Sequence, residues 1–275
     1  MDLGLQDTVA LVVDSHLEIA TAAAAALGKE GAVLSLTAPD SYNMRQVELS
    51  LARMHIPQDR FRAVIADLGK EQDIHRLVRE TLHRQGQVGV LITTIQEHDG
   101  PPASELEDEQ IEPALARNFM SAVHLTREVL PHMKRFGTGR IINLVPFSAM
   151  EVSPQNTLSS LSLAPVLAYF KGLASELAPY NITVNNVIYA GVHSEEAETA
   201  VREQAALELE NPEDEEEVRA RTQAKLQQMA AAAPMQRMGK PHEIGDIVCM
   251  VASARASYLT GENILVDGGI HHNYA

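Results

Sequence analysis

The 275-residue chain has one cysteine, few basic side chains and no long apolar run, and each shortage excludes something. A lone thiol, Cys249, cannot close an internal disulfide, and no charged stretch leading into an apolar one opens the chain. Both features fit a reducing cytoplasm. Lys and Arg total 22 against 37 Asp and Glu, a formal charge of -15, so a phosphate backbone or an anionic membrane surface is repelled. The longest mostly apolar run, Leu161 to Phe170, contains Pro165 and falls well short of the roughly 20 residues that span a bilayer. The expectation is a soluble cytoplasmic protein with neither nucleic acid nor membrane as partner.

What is present is alternation. Val9 to Val13, Ala32 to Thr37, Ala63 to Ala66, Val88 to Thr93, Arg140 to Val145, Thr183 to Tyr189 and Asn263 to Val266 read as strands. Between them run amphipathic segments: Glu18 to Lys29, Ile74 to Gln85, Glu112 to Phe136, Thr157 to Ala178 and His242 to Ala252. Strand and helix at this spacing imply βαβ units, and continuously apolar strands imply a sheet covered on both faces. The predicted fold is α/β: a single doubly wound Rossmann-type domain over residues 1–275, with a seven-stranded, mostly parallel sheet. At about residues 195–233 the chain turns acidic and helix-prone, divided by Pro212 and ended by Pro234. That insertion is expected to be a lid over the carboxyl edge of the sheet. The alanines at 22 to 26 suit a helix packed closely on a sheet.

Three separated blocks carry a family resemblance. Pro234-Met-Gln-Arg-Met-Gly-Lys-Pro-His-Glu-Ile-Gly-Asp is followed by Ala256-Ser-Tyr-Leu-Thr-Gly-Glu and Val266-Asp-Gly-Gly269. Gly139-Arg-Ile-Ile-Asn143, Glu176-Leu-Ala-Pro and Ile182-Thr-Val-Asn185 precede them in order. Over almost its whole length the chain resembles the short-chain dehydrogenase/reductase family. That resemblance implies the Rossmann-type fold and directs attention to the family's cofactor and catalytic positions.

Those positions are altered. The family's first turn, TGxxxGxG, falls on Val13-Asp-Ser-His-Leu-Glu-Ile-Ala20, so Asp14, Glu18 and Ala20 replace its glycines. Glycine there lets backbone amides approach a pyrophosphate at a helix N-terminus, which a Cβ obstructs and a carboxylate repels. The same carboxylates suit the positive end of a helix without ligand. Thr37-Ala-Pro39 offers no charged residue for a ribose, Thr93-Thr-Ile-Gln96 replaces NNAG, and only Asp67 matches a cofactor contact, with turn capping as its plain alternative role. The YxxxK pair falls on Ser159 and Leu163, the family's serine on Pro146, and only Asn118 matches the fourth catalytic residue. Pro165 is expected to kink the same helix.

On these losses the expectation is a catalytically degenerate subunit: no enzyme when isolated, no cofactor, no NAD or NADP, no metal. It would support an oligomer, with itself or with an active relative such as a hydroxyacyl-CoA dehydrogenase, through the fourth and fifth helices and the last strand. The competing readings are a cofactor-independent lyase or dehydratase using the emptied pocket, and an ordinary NAD(P)-dependent oxidoreductase. Metal binding by Asp14, His16 and Glu18 is disfavoured because alternating residues on a turn seldom converge. His271 and His272 are expected in a solvated tail.

Overall fold

A computed structural model describes residues 2–98, 100–154, 156–209 and 211–272. The strands are β1 (Val9–Val12), β2 (Val33–Ala38), β3 (Phe61–Ile65), β4 (Val90–Thr94), β5 (Gly139–Pro146), β6 (Ile182–Tyr189) and β7 (Asn263–Val266). The helices are α1 (Glu18–Lys29), α2 (Ser41–Arg53), α3 (Glu71–Gln85), α4 (Asp108–Leu115), α5 (Ser121–Phe136), α6 (Thr157–Leu177), α7 (Glu195–Leu207), α8 (Glu215–Ala232) and α9 (Pro241–Ala252). The sheet order is β3-β2-β1-β4-β5-β6-β7 with every pairing parallel, the doubly wound arrangement. Strand order reverses between β1 and β4, which places the crevice for a ligand at their carboxyl ends.

Apolar strands drive this fold because both faces of the sheet are covered. One core joins Ala10, Val12, Leu34 and Leu36 to α1, α2 and α9; the other joins Leu11, Leu91, Ile141 and Val184 to α3, α5 and α6. Helix α1 approaches α9 closely enough that a Cβ on Gly245 would stand 2.6 Å from the carbonyl oxygen of Ala22. The alanine run therefore serves helix-on-helix contact as well as the sheet.

A polar line crosses this apolar interior. Thr93 donates to the side-chain oxygen of Asn143 (2.5 Å), the Asn143 amide donates to Asn186 (2.7 Å), and the Asn186 amide donates to Asn263 (2.8 Å). Each pair is directly in register between neighbouring strands. Every buried amide thereby finds a partner, as burial requires.

Two expectations need correction. Helix α2 was not anticipated, although Met44, Val47 and Leu51 bury at helical spacing and Asp40 caps the Asn43 amide at 2.8 Å. The single helix expected from Glu112 to Phe136 is two, α4 and α5, joined by a π-helical turn at Ala116–Met120. Helix α6 runs unbroken through Pro165; Leu161, whose carbonyl loses that amide partner, lies on an exposed side where water can replace it.

The start of α9 is fastened by a fork: Arg237 donates to both oxygens of Glu243, at 2.9 and 2.7 Å, and the Lys240 amide donates to the same carboxylate at 2.8 Å. Those bonds, the guanidinium's foremost, lower the Glu243 pKa to about 2. A depressed carboxylate pKa adds stability above the ordinary carboxylate range and loses it as pH falls through the folded value. Titration of the Glu243 carboxyl carbon by NMR is therefore expected to show a midpoint near pH 2, and Arg237→Gln to move it upward; a midpoint in the ordinary range for the wild type would contradict the fork.

Candidate active site

The first turn contains a left-handed residue that is not glycine. Asp14 has φ +50°, a conformation that aspartate tolerates better than most residues. Its side chain is 3% exposed and is held by Arg117 at 2.6 Å, with the Gln96 amide 3.4 Å away. Arg117 comes from the π-helical turn, whose extra residue swings the guanidinium towards β1. Ser15 ties the turn to β2 by accepting from the Thr37 amide and donating to the Val12 carbonyl. Ala20 is fully buried against the sheet. Burial pushes the His16 imidazole pKa down, so that ring adds no positive charge to the turn.

Two of the amides that would face an anion, those of Leu17 and Glu18, are already used. Helix α1 begins with Leu17 as its N-cap, which has no side-chain acceptor. The Glu196 carboxylate, from α7, fills the vacancy by accepting from the Glu18 amide at 2.8 Å. Reciprocally, Glu18 accepts from the Glu195 amide at 2.8 Å, and Leu17 N–H donates to the Asp14 carbonyl. As folded, this turn does not fit the pyrophosphate of a dinucleotide: a paired aspartate and a second carboxylate stand at the helix's positive end. Asp67 accepts from the Gly69 amide and pairs with Lys70, contacts that lower its pKa and close its own turn.

The family's catalytic positions hold no proton-transfer group. Pro146 ends β5 beside Tyr189 of β6. Ser159 accepts from the His98 amide (2.7 Å) and donates to the His98 carbonyl (2.9 Å), fixing the loop after β4. Leu163 is core. Asn118 sits buried in the π-helical turn, clasping the Gln96 backbone from both sides and donating to Ser162.

Other groups gather nearby. Helices α7 and α8 lie over the carboxyl edge of the sheet, and with the loops after β4, β5 and β6 they enclose a cavity of about 630 Å³. Glu97 and Ser148 line it, the Ser148 hydroxyl donating to Glu97 at 2.6 Å, and Ser160 donates to the Ser148 carbonyl to hold that loop. Tyr189 also lines it; burial first, then the Glu97 and Glu196 carboxylates, push its phenol pKa up, so it stays protonated at neutral pH. Neither Glu97 nor Ser148 stands at a motif position, so the sequence alone does not single them out. Glu97 directly follows Gln96, and Ser148 stands two residues after Pro146.

One smaller expectation changes. His271 does not lie in a solvated tail: its ring meets Phe147 edge-on at 5.3 Å and its amide donates to Asp267. Asp14, His16 and Glu18 do not converge, and among the described residues no group of three or more His, Cys, Asp or Glu is placed to hold a metal ion. No helix among those residues is long and apolar enough to cross a membrane.

Comparison with known proteins bears on what such a site belongs to. A sequence profile described as short chain dehydrogenase matches residues 8–205, and one described as enoyl-(acyl carrier protein) reductase matches residues 213–271. Oxidoreductase UcpA of Escherichia coli K12 is 28% identical over 75% of this chain and 74% of its own length. The 3-oxoacyl-[acyl-carrier-protein] reductase FabG of Haemophilus influenzae is 25% identical over 97% of this chain and 99% of its own. Among solved structures, L-sorbose reductase from Gluconobacter frateurii, complexed with NADPH and L-sorbose, superimposes with a TM-score of 0.89 at 24% identity, covering 99% of this chain and 100% of that one. The expectation of a catalytically empty subunit is overturned by these relatives, which are named as oxidoreductases and reductases. By fold, by motif order and by these matches, the chain belongs to the short-chain dehydrogenase family.

Proposed function

We propose that the chain is an enzyme, an oxidoreductase of the kind its relatives are named for, acting on a hydroxyl or carbonyl group of a small organic substrate held in the lidded cavity. The observation that carries this reading is the Ser148–Glu97 pair at the sheet's carboxyl edge. Because Ser148 gives its hydrogen to Glu97, its remaining lone pairs are free to accept one from a substrate hydroxyl. A proton leaving that hydroxyl passes to Ser148 as the serine's own proton passes to Glu97. The protonated Tyr189 phenol supplies a donor on the same wall. Oxidation of the hydroxyl-bearing carbon also releases a hydride, which no side chain here accepts; a nicotinamide supplied from outside would be the acceptor, and the first turn as folded does not fit its pyrophosphate.

Apolar side chains exposed on α5, α6 and beside β7, namely Phe136, Leu161 and Tyr258, support assembly with a second copy or another family chain. The test of the enzyme reading is a turnover screen of alcohols and carbonyl compounds with oxidised and reduced nicotinamide cofactors. For a compound that is turned over, Glu97→Gln is expected to lower kcat by about 10²-fold, the usual loss of a proton-transfer group, while KM changes little. Ser148→Ala is expected to have a similar effect. An unchanged kcat in both variants would remove the pair from the mechanism.

A further inference from the structure

We propose that Glu196 of the lid occupies the place of a phosphate group, so that lid closure and binding of a pyrophosphate-bearing ligand at the first turn exclude each other. The contact is a mutual exchange between two helix starts. The first amide of α1, at Glu18, donates to Glu196, and the first amide of α7, at Glu195, donates to Glu18, both at 2.8 Å. Each helix presents a carboxylate from its own first turn to the positive end of the other. The residues are 178 and 177 positions apart, so this is a tertiary clasp and not local capping.

The two ends are not equally dependent on the exchange. Helix α7 has its own cap, with Ser194 accepting from the Ala197 amide at 3.1 Å. Helix α1 has Leu17 at its N-cap and no side-chain acceptor of its own. Glu196 is therefore the anion that α1 lacks, in the position where Rossmann-type folds receive a pyrophosphate. The neighbouring Asp14 is neutralised by Arg117, so Glu196 and Glu18 are the charges an incoming phosphate meets. For such a group to reach the Glu18 amide, Glu196 must leave; when it leaves, one of the two bonds joining α7 to α1 is lost, only the Glu195 amide on Glu18 remains, and the lid over the cavity loosens. The clasp is thus an autoinhibitory contact. Its meaning for catalysis rests on the enzyme reading above, whereas the competition itself does not.

The experiment uses the full chain with inorganic pyrophosphate as probe. Glu196 is exposed, so Glu196→Ala is compatible with the fold. Amide chemical shifts of Leu17, Glu18 and Ile19 report binding at the turn, and hydrogen exchange at the start of α7 reports the lid. In Glu196→Ala, pyrophosphate is expected to shift those amides at a concentration at least ten-fold lower than in the wild type. Exchange at the α7 start is expected to rise at least ten-fold in that variant, and in the wild type as pyrophosphate is added. Glu198→Ala removes a carboxylate from the same helix that faces His193 at 3.3 Å, and should match the wild type in both readings. Equal pyrophosphate dependence in Glu196→Ala and the wild type, lid exchange indifferent to pyrophosphate, or an effect of Glu198→Ala as large as that of Glu196→Ala would each overturn the proposal. Neither reading involves turnover, so a chain that turned over no substrate would defeat the enzyme reading and leave this one standing.

Discussion

Replacing Arg117 by methionine is expected to lower the stability of the folded chain by about 3 kcal/mol, the low end of the cost of leaving one member of a buried ion pair alone. The Asp14 side chain is 3% exposed against 24% for Arg117, so the stranded charge would be the buried one. Gln96 offers it only a long 3.4 Å contact in return. Asp14→Asn should cost less, because asparagine also tolerates positive φ and a neutral amide does not need a counter-charge. The double variant Arg117→Met with Asp14→Asn should then recover much of the loss, since the uncompensated carboxylate is gone. Urea unfolding of the four proteins measures this. An Arg117→Met midpoint equal to the wild type's, or a double variant weaker than both singles together, would show that the pair is not what stabilises the turn.

Gly245→Val is expected to cost about 3 kcal/mol or more, at the upper end for overpacking, because the obstacle is backbone and cannot rotate away. A Cβ alone would stand 2.6 Å from the Ala22 oxygen, 2.8 Å from its carbonyl carbon and 3.1 Å from the Ala23 nitrogen. Valine adds two methyl groups to that clash, and α1 and α9 must separate to admit them. Gly245→Ala forces the same contact with less bulk and should cost less. Since α1 carries Glu18 at its start, separation should also disturb the exchange with Glu196, and hydrogen exchange at α7 should rise in parallel with the loss of stability. Thermal unfolding that leaves Gly245→Val within about 0.5 kcal/mol of the wild type, the scale of an inconsequential substitution, would mean that the helices are free to part.

Much of the fold could be read from the chain because its strands are short, apolar and separated by amphipathic segments. Val9 to Val12 and Leu34 to Ala38 are buried along their length, the pattern expected of a covered parallel sheet. Helix α2 escaped because Tyr42, Asn43, Arg45 and Gln46 dilute its apolar positions, leaving three buried residues in thirteen. The altered glycines and the Pro146, Ser159 and Leu163 replacements were equally plain. What those replacements do was not. Asp14 reaches Arg117 across 103 residues and the Glu18 amide reaches the Glu196 carboxylate across 178, and contacts at such separations leave no periodic trace. The expectation of an inactive subunit, overturned by relatives named as reductases, rested on known motif positions alone, and those give no sign that two other loops bring Ser148 within 2.6 Å of Glu97.

The line of Thr93, Asn143, Asn186 and Asn263 has a bearing on how the sheet assembles. Asn143 and Asn186 each accept from the strand on one side and donate to the strand on the other, and Asn263 on the edge strand accepts the last bond, so all the dipoles run the same way from β4 to β7. Apolar contacts alone would tolerate a strand that docks displaced along its neighbour by two residues, because the same face would still point inwards. The amides do not tolerate it: such a displacement separates donor from acceptor and strands both in a dry interior, at about 1 to 3 kcal/mol for each unsatisfied group. Four strands that hydrophobicity treats as interchangeable thus carry a common alignment mark.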